Sequence, residues 1–206
     1  MLWSAFLAQV RRELEESSAV VWSDDSFLYW ANEASKDIAI QTKCSRDWQY
    51  TTAIVGQSSY DLPDRSLDVL EVYFGDPTTI GARVQLSRQD FNDWYELDAT
   101  SGTPVYYAID DDNLFLYPPP DHAYEISYFR YTYPASMTAG TDSMPYEDKY
   151  NNAISYFLKF KAKEQIDDWD GSDRFYDRYL REIDKIQSQE MKESHSSKFI
   201  APASVW

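Results

Sequence analysis

The sequence predicts an α+β fold, a helical bundle assembled from both ends of the chain with an antiparallel β domain inserted between them. Three observations carry this expectation. Apolar residues recur at helical spacing near each end, and the middle runs in short alternating segments broken by Gly, Pro and Asp turns. Two helices at one end cannot bury their stripes stably on each other, so they need the two at the far end. The expected division is a bundle of 1–47 with 144–192, a β-rich domain of 48–143, and an extended tail of 193–206.

The first helix covers about Trp3–Glu16, where Trp3, Phe6, Leu7, Val10 and Leu14 share one face. A second starts after Ser23 or Asp24, either a suitable N-cap, and runs to about Cys44 with Phe27, Trp30, Ala31, Ala34 and Ile38 as its stripe. Trp48–Ile54 and Ser58–Leu62 resemble a hairpin around Gly56-Gln57, and Leu67–Phe74 follows as a loosely alternating strand. A short strand near Arg83–Leu86 precedes Ser87-Arg88-Gln89-Asp90, which suits the cap of a short helix holding Phe91, Trp94 and Tyr95.

Val105–Ile109 and Asn113–Tyr117 flank an acidic turn at Asp110–Asp112, and Pro118–Pro120 then stops pairing, since proline donates nothing to a ladder. A long strand, Ala123–Tyr133, completes six or seven strands, enough for a small sandwich or open barrel. Tyr146–Asp168 carries Tyr150, Ala153, Ile154, Phe157 and Lys161, the last covering apolar surface with its stem. Asp170–Asp173 breaks that pattern and caps a fourth helix through Phe175, Tyr176, Tyr179, Leu180, Ile183 and Ile186 to about Met191, closing an αα-hairpin.

Aromatics make up 17% of the 206 residues, with 17 Tyr and 7 Trp, side chains suited both to a β core and to interfaces. The net charge of −16 argues against sequence-specific binding of nucleic acid and against docking on an anionic membrane. Residues 51–146 hold 15 acids against 4 bases, a surface that confers solubility or repels a passing polyanion. Cys44 is alone, so neither a disulfide framework nor a thiolate zinc site is expected. No segment has the apolar length to span a bilayer, the amino end lacks the early basic region of a signal peptide, and a cytosolic chain is expected at synthesis.

Chemistry is poorly supplied. His122 sits in a turn and His195 in a polar tail, neither beside a nucleophile at a familiar spacing. Asp110-Asp111-Asp112-Asn113 lacks the glycine and distal glutamate of a calcium loop, so it reads as a polar hairpin turn. Asp167, Asp168, Asp170 and Asp173 cluster where one helix ends and the next begins, which suits capping. No phosphate-binding glycine loop or HExxH is present, and no pair of carboxylates stands out for glycoside hydrolysis. The expectation is a protein that builds or binds, with no catalytic residue, metal or cofactor.

The order of several motifs resembles the tailed-phage head-to-tail adaptor (connector) family related to podovirus tail tubular protein A. The residues concerned are Trp22-Ser23-Asp24-Asp25 with Leu28, Asn32 and Ala34, then Tyr60-Asp61-Leu62-Pro63 before the strand at Leu67–Val72. Gly102-Thr103-Pro104 with Tyr106-Tyr107, Leu116-Tyr117-Pro118 with Pro120-Asp121, and Met144-Pro145 with Tyr150, Ala153 and Ile154 follow in order. Singly these are unspecific; the likeness lies in five of them in sequence across nearly the whole chain.

The resemblance implies helices with an inserted β domain, which agrees with the residue patterns. It also implies a virion structural protein at the head–tail junction, assembled in the host cytoplasm as a homo-oligomeric ring, usually of twelve copies. Such a ring mounts on the portal protein after genome packaging, passes the genomic double-stranded DNA through its lumen without sequence-specific binding, and offers tail proteins (nozzle, tube or fibre) a docking surface. The family has no catalytic residues to carry over. On this reading Phe199, Ile200, Val205 and Trp206 are expected to contact the portal or a neighbouring subunit. Tyr106, Tyr107, Tyr117, Asp111 and Asp112 are expected to contact the tail or a neighbour, and an acidic lumen lets DNA slide. The alternative is a carbohydrate-binding or tail accessory module that stacks Tyr and Trp on sugar rings.

Overall fold

The computed structural model describes residues 1–16, 21–75, 83–91 and 100–197. N- and C-terminal helices flank an inserted, mainly antiparallel β domain, the expected α+β class. Two compact units result, Met1–Cys44 with Tyr133–Trp206, and Ser45–Thr132.

The helical unit contains α1 (Trp3–Glu13), α2 (Asp24–Thr42), α3 (Asn151–Gln165) and α4 (Trp169–Ser197). Trp3, Phe6, Leu7 and Val10 are buried on α1, and Phe27, Ala31, Ala34 and Ile38 on α2, as the spacing predicts. Ala153, Ile154, Phe157, Leu158, Tyr179, Ile183 and Ile186 complete one core with them. Ser23 is the cap of α2: its Oγ accepts the Ser26 N–H at 3.1 Å, and Asp24 and Asp25 place negative charge in the first turn.

Helices α1 and α3, like α2 at Lys43 (φ +52°), stop without glycine. Glu15 takes φ +60° after α1, and the N–H groups of Glu15 and Glu16 donate back to Arg12 and Arg11. Asp167 takes φ +58° after α3, with Asp167 and Asp168 donating to Glu164 and Lys163. Both are left-handed terminations that satisfy the last carbonyls. Asp168 then accepts the Gly171 N–H at 3.1 Å, so α4 begins at Trp169, ahead of the expected Asp170–Asp173 cap.

α4 also continues to Ser197, so 193–197, expected to be extended, are helical. No Gly or Pro lies between Met191 and Ser197 to break the helix. Phe199, Ile200, Val205 and Trp206 lie outside the described residues.

The turn from α1 to α2 is held by a buried guanidinium. Arg11 contacts Glu16 at 2.5 Å and Asp24 at 2.6 Å, donates to the Trp22 carbonyl at 2.8 Å, and lies 4.8 Å from the Phe27 ring centre. Lys159, buried on α3, pairs with Glu13 of α1.

The sheet unit holds β1 (Arg46–Thr52), β2 (Ser59–Asp61), β3 (Ser66–Gly75), β4 (Arg83–Gln85), β5 (Ser87–Arg88), β6 (Tyr106–Asp110), β7 (Asn113–Tyr117) and β8 (Glu125–Thr132). They form two four-stranded sheets, β1-β8-β3-β4 and β2-β7-β6-β5, antiparallel except for β5 beside β6. Val69, Val72, Phe74, Ile126 and Tyr128 of the first sheet share one core with Tyr60, Tyr107, Leu114 and Leu116 of the second.

Two expectations change here, and a third gains its reason. β1 and β2 do not pair as a hairpin: β1 lies on β8 and β2 on β7. The Gly56-Gln57 turn passes the chain from one sheet to the other, with Gly56 at φ +77° donating to the Pro120 carbonyl at 2.8 Å. Ser87-Arg88 is a strand and not a helix cap, because its backbone pairs with Tyr106-Tyr107; Trp94 and Tyr95 of the expected helix lie outside the described residues. β3 alternates loosely because its register against β8 shifts at two places, which sets Val69 and Val72 three apart on the same inner face.

The motif residues act as internal fasteners. Tyr60 Oη donates to the Gln57 carbonyl at 2.9 Å and accepts the Ile54 N–H at 3.0 Å, closing the corner between sheets. Arg130, 4% exposed, donates to the Pro63 carbonyl at 2.9 Å and to Ser66 Oγ at 2.5 Å, fixing the Leu-Pro turn. Gly102 bridges Pro120, and a β-carbon there would meet Pro118 Cγ at 3.3 Å, so these two motifs specify each other. Asn32 donates to the Met137 carbonyl at 2.9 Å and accepts its N–H at 2.8 Å.

Replacing Arg11 by Ala leaves the Glu16 carboxylate buried without that partner. The expected loss is about 3–5 kcal/mol, checked by urea denaturation of the purified protein.

Candidate functional site

The outer face of β1-β8-β3-β4 is the most conspicuous surface of the sheet unit. On β1, Arg46, Trp48, Tyr50 and Thr52 point away from the core in strict alternation. Their partners on β8 are Tyr131, Phe129, Ser127 and Glu125, and β3 adds Glu71 and Tyr73. Trp48, 40% exposed, is the hub, 5.0 Å from Phe129 and 5.8 Å from Tyr73 between ring centres.

Cations and acids border the rings. Arg83 lies over Tyr50 at 5.5 Å and pairs with Glu125 at 2.8 Å, while Arg46 lies over Tyr131 at 5.8 Å. Tyr73 donates to Glu71 at 2.9 Å; burial first, and this carboxylate second, push its phenol above the usual range. The rings tilt against Trp48 by 34° and 45°, so they form a packed cluster and not the flat platform that suits sugar stacking.

The tyrosines singled out in the sequence separate by register. Tyr106 and Tyr117 oppose each other across β6 and β7, both half-buried. Tyr107 points the other way, is 2% exposed, and donates its hydroxyl to the Leu70 carbonyl at 3.1 Å; it serves the core. Burial raises its phenol as well. Asp111 and Asp112 form the exposed two-residue turn of that hairpin, Asp111 at φ +48°. Asp110 and Asp61 both pair with Asn113, so four aspartates share one end of this sheet.

The sequence singled out none of Trp48, Tyr50 and Tyr73. Trp48 and Tyr50 do carry a signal: alternation with Asp47, Gln49 and Thr51, in which the aromatic positions face outward.

His122 is exposed beside Asp121, 3.1 Å from Nδ1 to Oδ1; hydrogen bonds from His122 and then Tyr124 hold the Asp121 carboxyl below its ordinary range. His195 falls within α4. Among the described residues no group of three or more His, Cys, Asp or Glu side chains is placed to hold a metal ion. No helix among them is long and apolar enough to cross a membrane.

Trp48→Ala removes two ring contacts worth about 0.5–1.5 kcal/mol each. Tyr50→Ala removes one exposed cation–ring contact worth about 0.5–1 kcal/mol. Chemical denaturation is expected to rank Trp48→Ala as the costlier change; equal costs contradict the hub geometry.

A search of curated proteins finds no match to the chain. A family model described as SU10 adaptor protein matches residues 1–203, spanning both units. The chain therefore belongs to the SU10 adaptor protein family, a family of phage head-to-tail adaptors.

Proposed function

We propose that the protein forms a homo-oligomeric ring, of twelve copies on the family pattern, that docks on the portal, extends the DNA channel and carries the tail. One observation carries this reading: the adaptor-family match runs through both units of the chain. The work is mechanical, and no residue is assigned to catalysis.

Surfaces divide the work. The Trp48 cluster meets the adjacent subunit, where exposed aromatics bordered by arginines supply the usual ingredients of an interface centre. Tyr106, Tyr117 and the Asp111–Asp112 turn belong to the surface offered to tail proteins or a neighbour. Tyr107 supports them from the core. Phe199, Ile200, Val205 and Trp206 form an arm that orders on the portal. Acids of the middle segment line the channel, so phosphates are repelled and the duplex slides.

Mixing the purified protein with portal and imaging the product by electron microscopy is expected to show adaptor rings on portal rings. Portal decorated equally well by protein lacking Lys198–Trp206 removes the arm from this reading. Exchanging Asp64 and Asp90, exposed acids of the middle segment away from the Asp111–Asp112 turn, for Lys is expected to slow DNA ejection from assembled particles; an unchanged rate removes these acids from the channel.

A further inference from the structure

β1 lies at one edge of its sheet: in the order β1-β8-β3-β4 it has β8 on one side and no described strand on the other. Two bonds at its ends fix which backbone groups face that open side. The Ser45 carbonyl accepts the Thr132 N–H at 3.0 Å, and the Ala53 N–H donates to the Tyr124 carbonyl at 2.7 Å. In an antiparallel ladder successive residues turn their N–H and C=O groups alternately to one neighbour and to the other. The β1–β8 register runs without a shift, so the odd-numbered residues bond β8 and the even-numbered ones face away from it. Among the described residues nothing pairs with the outward backbone groups of Trp48, Tyr50 and Thr52. The edge is not blunted in the usual ways either, since Arg46–Thr52 contains no Pro, Gly or Lys and no bulge.

We infer that a second copy of this chain occupies this edge, its β1 running antiparallel to the first about a twofold axis at Gln49. Gln49 is the midpoint of Arg46–Thr52, so this register overlaps the whole strand. It sets Trp48 opposite Tyr50 of the second copy, and Tyr50 opposite the second copy's Trp48. Each pair exchanges two N–H···O bonds, because both members turn their backbone groups outward. The side chains agree with the backbone. Trp48 packs on Phe129 at 5.0 Å and on Tyr73 at 5.8 Å, and Tyr50 of the second copy extends that band by one ring on the same face.

Charge selects the twofold over a parallel arrangement. Arg46 and Asp47, the charged residues of β1, stand at the same end of the strand. Parallel pairing in register sets each against its own like. Under the twofold, Arg46 lies opposite Thr52 and one strand away from Glu125, while Asp47 lies opposite Thr51 and two neutral glutamines meet at the axis. The other edge of the sheet, β4, offers three residues against the seven of β1 and cannot match its length.

This goes beyond the ring reading. A twofold pair closes on itself, whereas a ring joins unlike surfaces, so the pairing belongs to the free protein and has to open before Trp48 can meet a ring neighbour. Until then it covers a strand edge that is a template for unwanted pairing.

The test uses the full chain without portal. Gln49→Cys on a Cys44→Ser background is expected to form a disulfide-linked dimer on mild oxidation. Residues facing each other in a non-hydrogen-bonded pair lie about 4.5 Å apart between Cα atoms, within the span of a disulfide. Asp47→Cys on the same background is expected to bridge poorly by itself and readily when mixed with Thr51→Cys. Sedimentation of the unaltered protein is expected to show a mass rising with concentration toward that of a dimer. Tyr50→Pro removes an outward N–H but no bond to β8, and Gln49→Lys sets like charges together at the axis; each is expected to weaken the dimer about tenfold. A monomer at every concentration, an unbridged Gln49→Cys protein, equal bridging by Asp47→Cys alone, or a dimer indifferent to both variants overturns the inference.

Discussion

The helical unit exists because segments more than a hundred residues apart bury one another's apolar stripes. α1 and α2 cover only part of their own surface, and Ala153, Ile154, Phe157 and Leu158 of α3 supply the remainder. Asn32 marks the dependence in hydrogen bonds, exchanging both donor and acceptor with the backbone of Met137, 105 residues on. Closing a flexible loop of that length carries an entropic cost that grows slowly with length, and an ordered insertion with its ends together removes it. The sheet unit is such an insertion and brings its own ends together. Thr132 donates to the Ser45 carbonyl at 3.0 Å, and Arg46 pairs with Tyr131. The long excursion behaves as a short connection between α2 and the return to α3.

What the sequence disclosed follows from how far apart the interacting residues lie. The stripes of α1 and α2 and the β6–β7 hairpin are set by neighbours a few residues away and read correctly. On α4 only Tyr179, Ile183 and Ile186 of the expected stripe are buried, and Tyr176 and Leu180 face solvent. The partners of β1 and β2 could not be read this way. Trp48 faces Phe129 and Tyr60 faces Leu114, separations at which alternation gives a period but names no partner. The Gly56-Gln57 turn suggested a reversal within one sheet, yet the same residues serve as a passage between two. Ser87 was misjudged for a related reason, since a serine before acids suits a cap unless a distant strand claims its backbone.

The adjacent tyrosines show the same limit at finer grain. Composition marks Tyr106 and Tyr107 as equal candidates for a contact surface. Register then sends one outward opposite Tyr117 and the other into the core, where the Leu70 carbonyl holds its hydroxyl. Whether an outward face is exposed depends on what lies over it. On the second sheet Ala108 is fully buried on the same outward face as Tyr106, while Phe91 rests on Phe115 at 4.6 Å. On the first sheet Trp48 and Tyr50 stay open to solvent. Alternation is identical in the two sheets, and only the folded chain tells a covered face from a free one.

A division of labour among residue types follows. The residues that carry the family likeness are fasteners: Tyr60 closes a corner, Gly102 admits Pro118, Asn32 ties α2 to Met137, and the Trp22 carbonyl binds the Arg11 guanidinium. None of these four lies at the exposed aromatic face or at the aspartate turn. These four residues therefore report the frame, a bundle and a sandwich held in fixed registers. Side chains such as Tyr50, Asp111 and Ile40 are exposed and take no part in these fastenings. Substituting them leaves the internal hydrogen bonds untouched, so an adaptor of this fold can change what it touches without changing how it folds.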